Sequence, residues 1–139
     1  MKRFFLAFLA TLVITAAGSF VIHGVLLKPL YLETPQLLRN AADSQAHAPF
    51  LLASFLAFSF GSVWIFWKHV RPVAGAAGAG AGLSYGLGLW LIWTVSHYVT
   101  DFAVAPWPSR VALLQMGLEL PLALLVGVVI AAVLGRGER

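Results

Sequence analysis

Cysteine is absent from this sequence, and only five of its 139 residues are acidic. Without cysteine the chain can form no disulfide, iron–sulfur cluster or thiolate metal site. Charged residues of both signs make up 10% of the chain, whereas a soluble domain carries about 25%. With hydrophobic residues at 60%, this shortage of charge excludes an ordinary soluble domain and indicates a membrane protein.

The basic residues lie near the ends of apolar runs and give the chain a net charge of +4. In a soluble protein this charge would point to nucleic acid, but here its placement is typical of membrane topology signals. We therefore expect the chain to contact the lipid bilayer and to have no nucleic-acid partner.

Four apolar runs predict an all-α fold with one transmembrane domain over 1–139. The predicted helices are about 4–27, 50–67, 74–100 and 111–134. The first run has a basic start and small residues at 16–18, as a signal peptide does. Because it is about 36 Å long as a helix, enough for a hydrocarbon core of ~30 Å, we interpret it as an uncleaved span.

The longest polar connection, 28–49, begins with a Lys-Pro pair that ends the first helix, because proline disfavours helical geometry in the residue before it. Within this connection, Thr34 and Pro35 predict a short interfacial helix over 35–42. The other two connections are short, and short connections make neighbouring helices antiparallel. The predicted architecture is an antiparallel four-helix transmembrane bundle.

Lysine and arginine are divided unequally between the two ends of this bundle. One end holds Lys2, Arg3, Lys68, Arg71, Arg136 and Arg139, and the other holds Lys28, Arg39 and Arg110. The positive-inside rule assigns the richer end to the cytoplasm. Both termini are then cytoplasmic, and the connection 28–49 is periplasmic.

Three glycines, Gly78, Gly82 and Gly86, recur every four residues and so lie on one face of the third helix. Small residues at this spacing let helices approach closely in lipid, where association depends on packing. We interpret this face as a contact inside the bundle, with a homodimer interface as the alternative.

The antiparallel order brings polar residues from three helices into the same half of the membrane, which is the outer half in this topology. They are His23, Thr94, His97, Asp101, Gln115 and Glu119. On each helix they belong to a stripe of polar residues three or four positions apart, and such stripes face the bundle interior. We therefore predict one shared pocket that binds a ligand or a proton.

Glu119 has two interpretations, because an acid this far inside a spanning helix is costly to ionise. It is either a proton- or ligand-binding carboxyl group, or a neutral acid hydrogen-bonded to Gln115, His97 or a threonine. Pro121 removes the hydrogen bond that the Gly117 carbonyl would receive, which favours a kink beside the acid.

The two histidines, His23 and His97, are either hydrogen-bonded imidazoles or paired ligands of a haem iron or another metal, together with Glu119. Asp101 lies at the C-terminal end of the third helix, where the helix dipole disfavours an anion. We therefore expect Asp101 to have a cationic partner from the set His97, Lys28 and Arg110.

The segment 23–31, HGVLLKPLY, is followed by Arg39 in a proline-containing loop. This pattern resembles uncharacterised small bacterial membrane proteins with four spans, a domain-of-unknown-function class. The resemblance implies a location in the bacterial inner membrane, and it assigns no site residues.

Three functions are compatible with these features. The first is a non-enzymatic membrane protein, without a cofactor, that binds a small ligand, a lipid or a partner helix. The second is a proton-coupled transporter subunit that uses Glu119, and the third is a bis-His haem or metal-binding subunit. A homo-oligomer or a partner membrane subunit is compatible with each of them.

The charge distribution predicts the topology of the chain. Reporter fusions at Arg139 and Asp43 should give cytoplasmic and periplasmic signals respectively, because the basic residues favour the cytoplasmic side. The reverse pattern of signals would contradict the assigned orientation while leaving the predicted bundle intact.

Overall fold

The computed structural model describes residues 1–35, 38–71 and 78–135, and this part of the chain forms helices and no strands. We number five helices in chain order. They are α1 (Lys2–Leu26), α2 (Lys28–Leu32), α3 (Ala41–Val70), α4 (79–104) and α5 (Ser109–Leu134). The predicted all-α fold class is confirmed for the described residues.

Three of these helices, α1, α3 and α5, are long and apolar enough to cross a membrane. The continuous helix α4 has a comparable length but is not among them, because its second half carries polar residues such as Thr94, His97 and Asp101. The number of spans therefore stays a prediction. The predicted start of this helix at 74–77 and the charged tail at 136–139 lie outside the described residues.

The second long helix begins at Ala41, so the prediction that it starts at Phe50 is wrong. The side chain of Asn40 caps the helix by accepting a hydrogen bond of 2.9 Å from the Asp43 backbone N–H. Pro49 consequently lies inside α3 rather than in its first turn.

The short helix of the connection also differs from the prediction. It is α2, which starts immediately after α1 and has Pro29 in its first turn, where the missing N–H costs nothing. The helix predicted over 35–42 is not formed as a separate element: residues 41 and 42 belong to α3, and residues 36 and 37 lie outside the described part.

Three of the long helices contain π-helical turns, in which the backbone N–H bonds to the carbonyl five residues earlier. These turns are Phe20–Leu26 in α1, Phe66–Val70 in α3 and Trp90–Val95 in α4. Wide turns of this kind occur frequently at functional sites. The turn in α1 contains His23, and the turn in α4 contains Thr94.

The apolar core is divided between the two ends of α1. The start of α1 packs through Phe4 and Ala7 against Ile130 and Leu134 near the end of α5. The end of α1 packs through Ile22 against Val111 at the start of α5. The two helices therefore run in opposite directions along their contact.

Glycines bring α4 and α5 into backbone contact. A Cβ atom added to Gly82 would lie 2.7 Å from the Val128 Cα, and one added to Gly86 would lie 2.5 Å from the Ala123 carbonyl oxygen. On the opposite helix, Gly127 lies directly against the backbones of Gly82 and Gly86. Any larger side chain at these positions would force the helices apart.

Gly78 takes no part in this contact, since a Cβ atom there would meet nothing within 4 Å among the described residues. Two of the three predicted glycines, Gly82 and Gly86, therefore pack against α5 of the same chain. The alternative of a homodimer interface has no support at Gly82 and Gly86, because α5 already covers their face.

The contact between α4 and α5 predicts a matched pair of substitutions. Gly82→Leu should lower the free energy of unfolding in detergent by about 2 kcal/mol or more, because the side chain overlaps the α5 backbone. Gly80→Leu is the control, since a Cβ atom there meets nothing within 4 Å in the described part of the chain. Equal stability of the two variants in a denaturant titration would contradict the packing.

Candidate functional site

A cavity of about 200 Å³ lies between α1, α3, α4 and α5. Its wall combines polar and apolar side chains. The polar and charged residues that line it are Thr15, Ser19, His23, Ser54, Thr94, His97 and Glu119, and the larger apolar and aromatic residues are Phe55, Phe58, Trp93, Tyr98, Leu122 and Val126.

The carboxyl group of Glu119 is the centre of the polar part of this wall. Its Oε1 atom accepts a hydrogen bond of 2.8 Å from the Tyr98 hydroxyl and lies 3.0 Å from the His23 Nε2 atom. Its Oε2 atom accepts a hydrogen bond of 2.8 Å from the Thr94 hydroxyl. Donors directed at both oxygens favour the carboxylate form, which accepts hydrogen bonds and donates none.

His23 extends this network towards α2. Its Nδ1 atom lies 2.6 Å from the Tyr31 hydroxyl, which also accepts a hydrogen bond of 2.8 Å from the Gln115 side-chain amide. Burial raises the pKa of the Tyr31 hydroxyl, so the group keeps its proton at neutral pH. A continuous chain of side-chain hydrogen bonds therefore leads from Gln115 through Tyr31 and His23 to Glu119.

The local backbone explains how Tyr31 reaches His23. The π-helical turn of α1 closes with a hydrogen bond of 2.8 Å from the Leu27 N–H to the Ile22 carbonyl. The short helix α2 then turns the chain back, and the Tyr31 and His23 rings come to lie parallel, with an interplanar angle of 5°. Tyr31 is buried together with Ile22 and Leu27, which fixes its position.

The structure brings together four of the six predicted site residues. His23 and Thr94 contact Glu119 directly, and Gln115 joins them through Tyr31. The hydrogen-bond partners expected for Glu119 were Gln115, His97 or a threonine, and of these only Thr94 bonds to it directly within the described structure.

His97 and Asp101 form a separate pair. The His97 Nε2 atom lies 3.4 Å from the Asp101 Oδ2 atom, and 62% of the His97 side chain is exposed. Among the partners expected for Asp101, which were His97, Lys28 and Arg110, the structure places His97 beside it. His97 also lines the cavity and its ring contacts that of Tyr98, but within the described structure its side chain forms no hydrogen bond to Glu119.

Two residues of the network, Tyr31 and Tyr98, are missing from the sequence-based prediction. Tyr98 follows Thr94 by four residues, so the helical spacing was a usable signal for it. Tyr31 carried no such signal, because its contact with His23 depends on the turn between α1 and α2.

Both ring nitrogens of His23 have partners, Tyr31 at Nδ1 and Glu119 at Nε2. A role of His23 as a metal ligand would require one of these contacts to open. The described residues contain no group of three or more histidine, aspartate or glutamate side chains placed to hold a metal ion. The haem or metal-binding subunit that uses His23 and His97 stays a prediction.

Pro121 lies inside α5, two residues after Glu119. The indole N–H of Trp90 donates a hydrogen bond of 2.9 Å to the carbonyl of Met116, the residue before Gly117. This bond ties α4 to α5 near the point where proline interrupts the backbone ladder. Trp93, by contrast, lines the cavity with its ring centroid 5.6 Å from that of Phe58.

Comparison of the chain with protein-family models, with curated proteins and with solved structures finds no match. The resemblance to four-span bacterial membrane proteins stays a prediction. The assignment of a function therefore depends on the cavity and on the side chains that line it.

The network predicts unequal roles for the two histidines. His23→Ala should lower the free energy of unfolding in detergent by about 1–2 kcal/mol, because it removes one hydrogen-bond partner from Tyr31 and one from Glu119. His97→Ala should change it by less than about 0.5 kcal/mol, as expected for an exposed ion pair. An equal loss in both variants would contradict the arrangement.

Proposed function

We propose that this protein is a non-enzymatic integral membrane protein that binds a small, partly apolar ligand in the cavity around Glu119. In this proposal the chain crosses a bacterial inner membrane four times, with both termini in the cytoplasm. The three long apolar helices support the membrane location. As the fourth span, α4 is about 39 Å long and packs along α5 through glycine.

The observation that carries this proposal is the mixed lining of the cavity. Glu119, His23 and Thr94 supply hydrogen-bonding atoms, while Phe58 and Trp93 supply aromatic surface. Binding sites for small molecules combine a mostly apolar wall with a few placed polar groups. A ligand with a polar head and an apolar body suits this cavity.

The carboxylate is held in place by side chains from two other helices, His23 of α1 and both Thr94 and Tyr98 of α4. Groups that are fixed in this way recognise a ligand without first having to be ordered, which lowers the cost of binding. This arrangement supports recognition as the role of Glu119.

A proton-coupled transporter subunit is the second candidate. It is favoured by the chain of hydrogen bonds from Gln115 through Tyr31 and His23 to Glu119, which joins the end of α1 to the cavity. Such chains of titratable side chains mark proton pathways in membrane proteins.

The Tyr31→Phe variant distinguishes the two candidate functions, because it removes the hydroxyl that joins His23 to Gln115. In vesicles with a pH-sensitive dye inside and an imposed membrane potential, a transporter subunit should give a proton flux that Tyr31→Phe abolishes. A binding protein should give no flux above that of empty vesicles in either form.

The outer faces of the helices carry large exposed apolar side chains, among them Phe50, Ile92 and Leu113. Such side chains suit contact with lipid tails. A homo-oligomer or a partner membrane subunit would bind to the same faces, and both stay predictions.

The ligand-binding proposal predicts that a larger side chain inside the cavity displaces the bound small molecule. Ser19 lines the cavity, so Ser19→Leu should reduce the amount of small molecule that remains bound to the full chain in native mass spectrometry. Ser96→Leu is the matched control, because Ser96 lies on the exposed surface of α4.

We expect the wild type and the Ser96→Leu variant to retain a bound molecule, and Ser19→Leu to retain at least several-fold less. A wild-type protein that carries no bound mass, or equal occupancy in all three proteins, would contradict the proposal.

A further inference from the structure

We infer that the cavity binds an organic cation, with an amine or ammonium group beside Glu119 and an apolar body among the aromatic side chains. This inference rests on the proposed ligand-binding function and specifies the chemical class of the ligand. It depends on the charge of the site, which the hydrogen bonds of His23 decide.

The hydrogen-bond partners of His23 favour its neutral form. The Gln115 amide nitrogen donates to the Tyr31 oxygen, so the Tyr31 proton is free to point the other way, towards the His23 Nδ1 atom 2.6 Å distant. An Nδ1 atom that accepts this proton carries none of its own. The His23 proton is then on Nε2, where it is donated to Glu119 at 3.0 Å.

A second proton on His23 would lie on Nδ1 and be donated to the Tyr31 oxygen, which has two lone pairs and can accept from both His23 and Gln115. The Tyr31 proton would then lose His23 as its acceptor, and a buried donor without a partner is costly. The neutral form of His23 is therefore favoured.

With His23 neutral, Glu119 gives the wall of the cavity an uncompensated negative charge. The described residues that line the cavity include no lysine or arginine. His97, on the rim, has its own acidic neighbour in Asp101. An anionic ligand would be repelled from this wall, whereas a cation would be attracted to it. An ammonium group has donors and no acceptor, which complements the oxygens of the Glu119 carboxylate, an acceptor that lines the cavity.

Aromatic rings line the same space. Phe55, Phe58 and Trp93 line the cavity, and the Phe58 and Trp93 rings are inclined at 52° to each other. Faces of aromatic rings attract cations and bury the apolar groups attached to them. An amine with an aromatic or branched substituent matches this wall better than a small hydrated metal cation does.

Three probes of almost the same shape separate the contributions of charge and of the apolar body. They are the 2-phenylethylammonium cation, the neutral 2-phenylethanol and the phenylacetate anion. Equilibrium dialysis against the purified full chain in detergent at pH 7 should show that the cation binds about tenfold more tightly than the alcohol, which corresponds to one favourable charge interaction. The anion should bind more weakly than both.

The Glu119→Gln variant should lower the affinity for 2-phenylethylammonium to about that for 2-phenylethanol, while affinity for the alcohol changes by less than about threefold. Glu33→Gln is the matched control, because Glu33 is exposed outside the cavity, and it should alter neither affinity. If Glu119→Gln does not fold, the comparison of the three probes on the wild type still decides the outcome.

Two results would overturn the inference and can be told apart. Equal binding of the cation and the alcohol to the wild type would refute a cation site but leave the proposed ligand-binding function standing. Binding of none of the three probes, together with unchanged native mass spectra for Ser19→Leu, would refute both.

Discussion

A carboxyl group inside an apolar helix has to find its hydrogen bonds in other helices, and this requirement shapes the centre of the protein. Glu119 of α5 receives them from His23 of α1 and from Thr94 and Tyr98 of α4. These contacts connect three helices at one level. The glycine contact between α4 and α5 supports these hydrogen bonds, because it brings the two backbones together at Gly86 and Ala123. Ala123 lies about one turn from Glu119, and Gly86 lies about two turns from Thr94. Without that approach, the Thr94 and Tyr98 hydroxyls would not reach the carboxylate.

The cavity follows from the same arrangement. The side chains that hold Glu119 and the aromatic residues of α3 and α4 line the same space. The π-helical turns carry His23 and Thr94, two of the residues that contact Glu119. A carboxylate beside aromatic surface is the chemistry on which the proposed recognition of a partly apolar cation depends.

Much of this arrangement could be predicted from the sequence, because the position of a residue along its helix sets its depth in the membrane, and its spacing from other residues sets the helix face that it shares with them. The polar stripes placed His23, Thr94 and Glu119 on facing helices. Tyr98, which bonds to Glu119, is missing from the prediction although it follows Thr94 by four residues and so lies on the same helix face. The start of α3 lies before the predicted one, because Asn40 caps the helix and Pro49 lies inside it.

Infrared spectroscopy of the wild type and of Glu119→Gln at neutral pH tests the central claim most directly, since that claim requires a carboxylate held by three donors. The account predicts carboxylate stretching bands in the wild type that are missing from the variant. A carbonyl band of a protonated carboxyl group that disappears in Glu119→Gln would contradict it, because a neutral acid gives the cavity no charge with which to attract a cation.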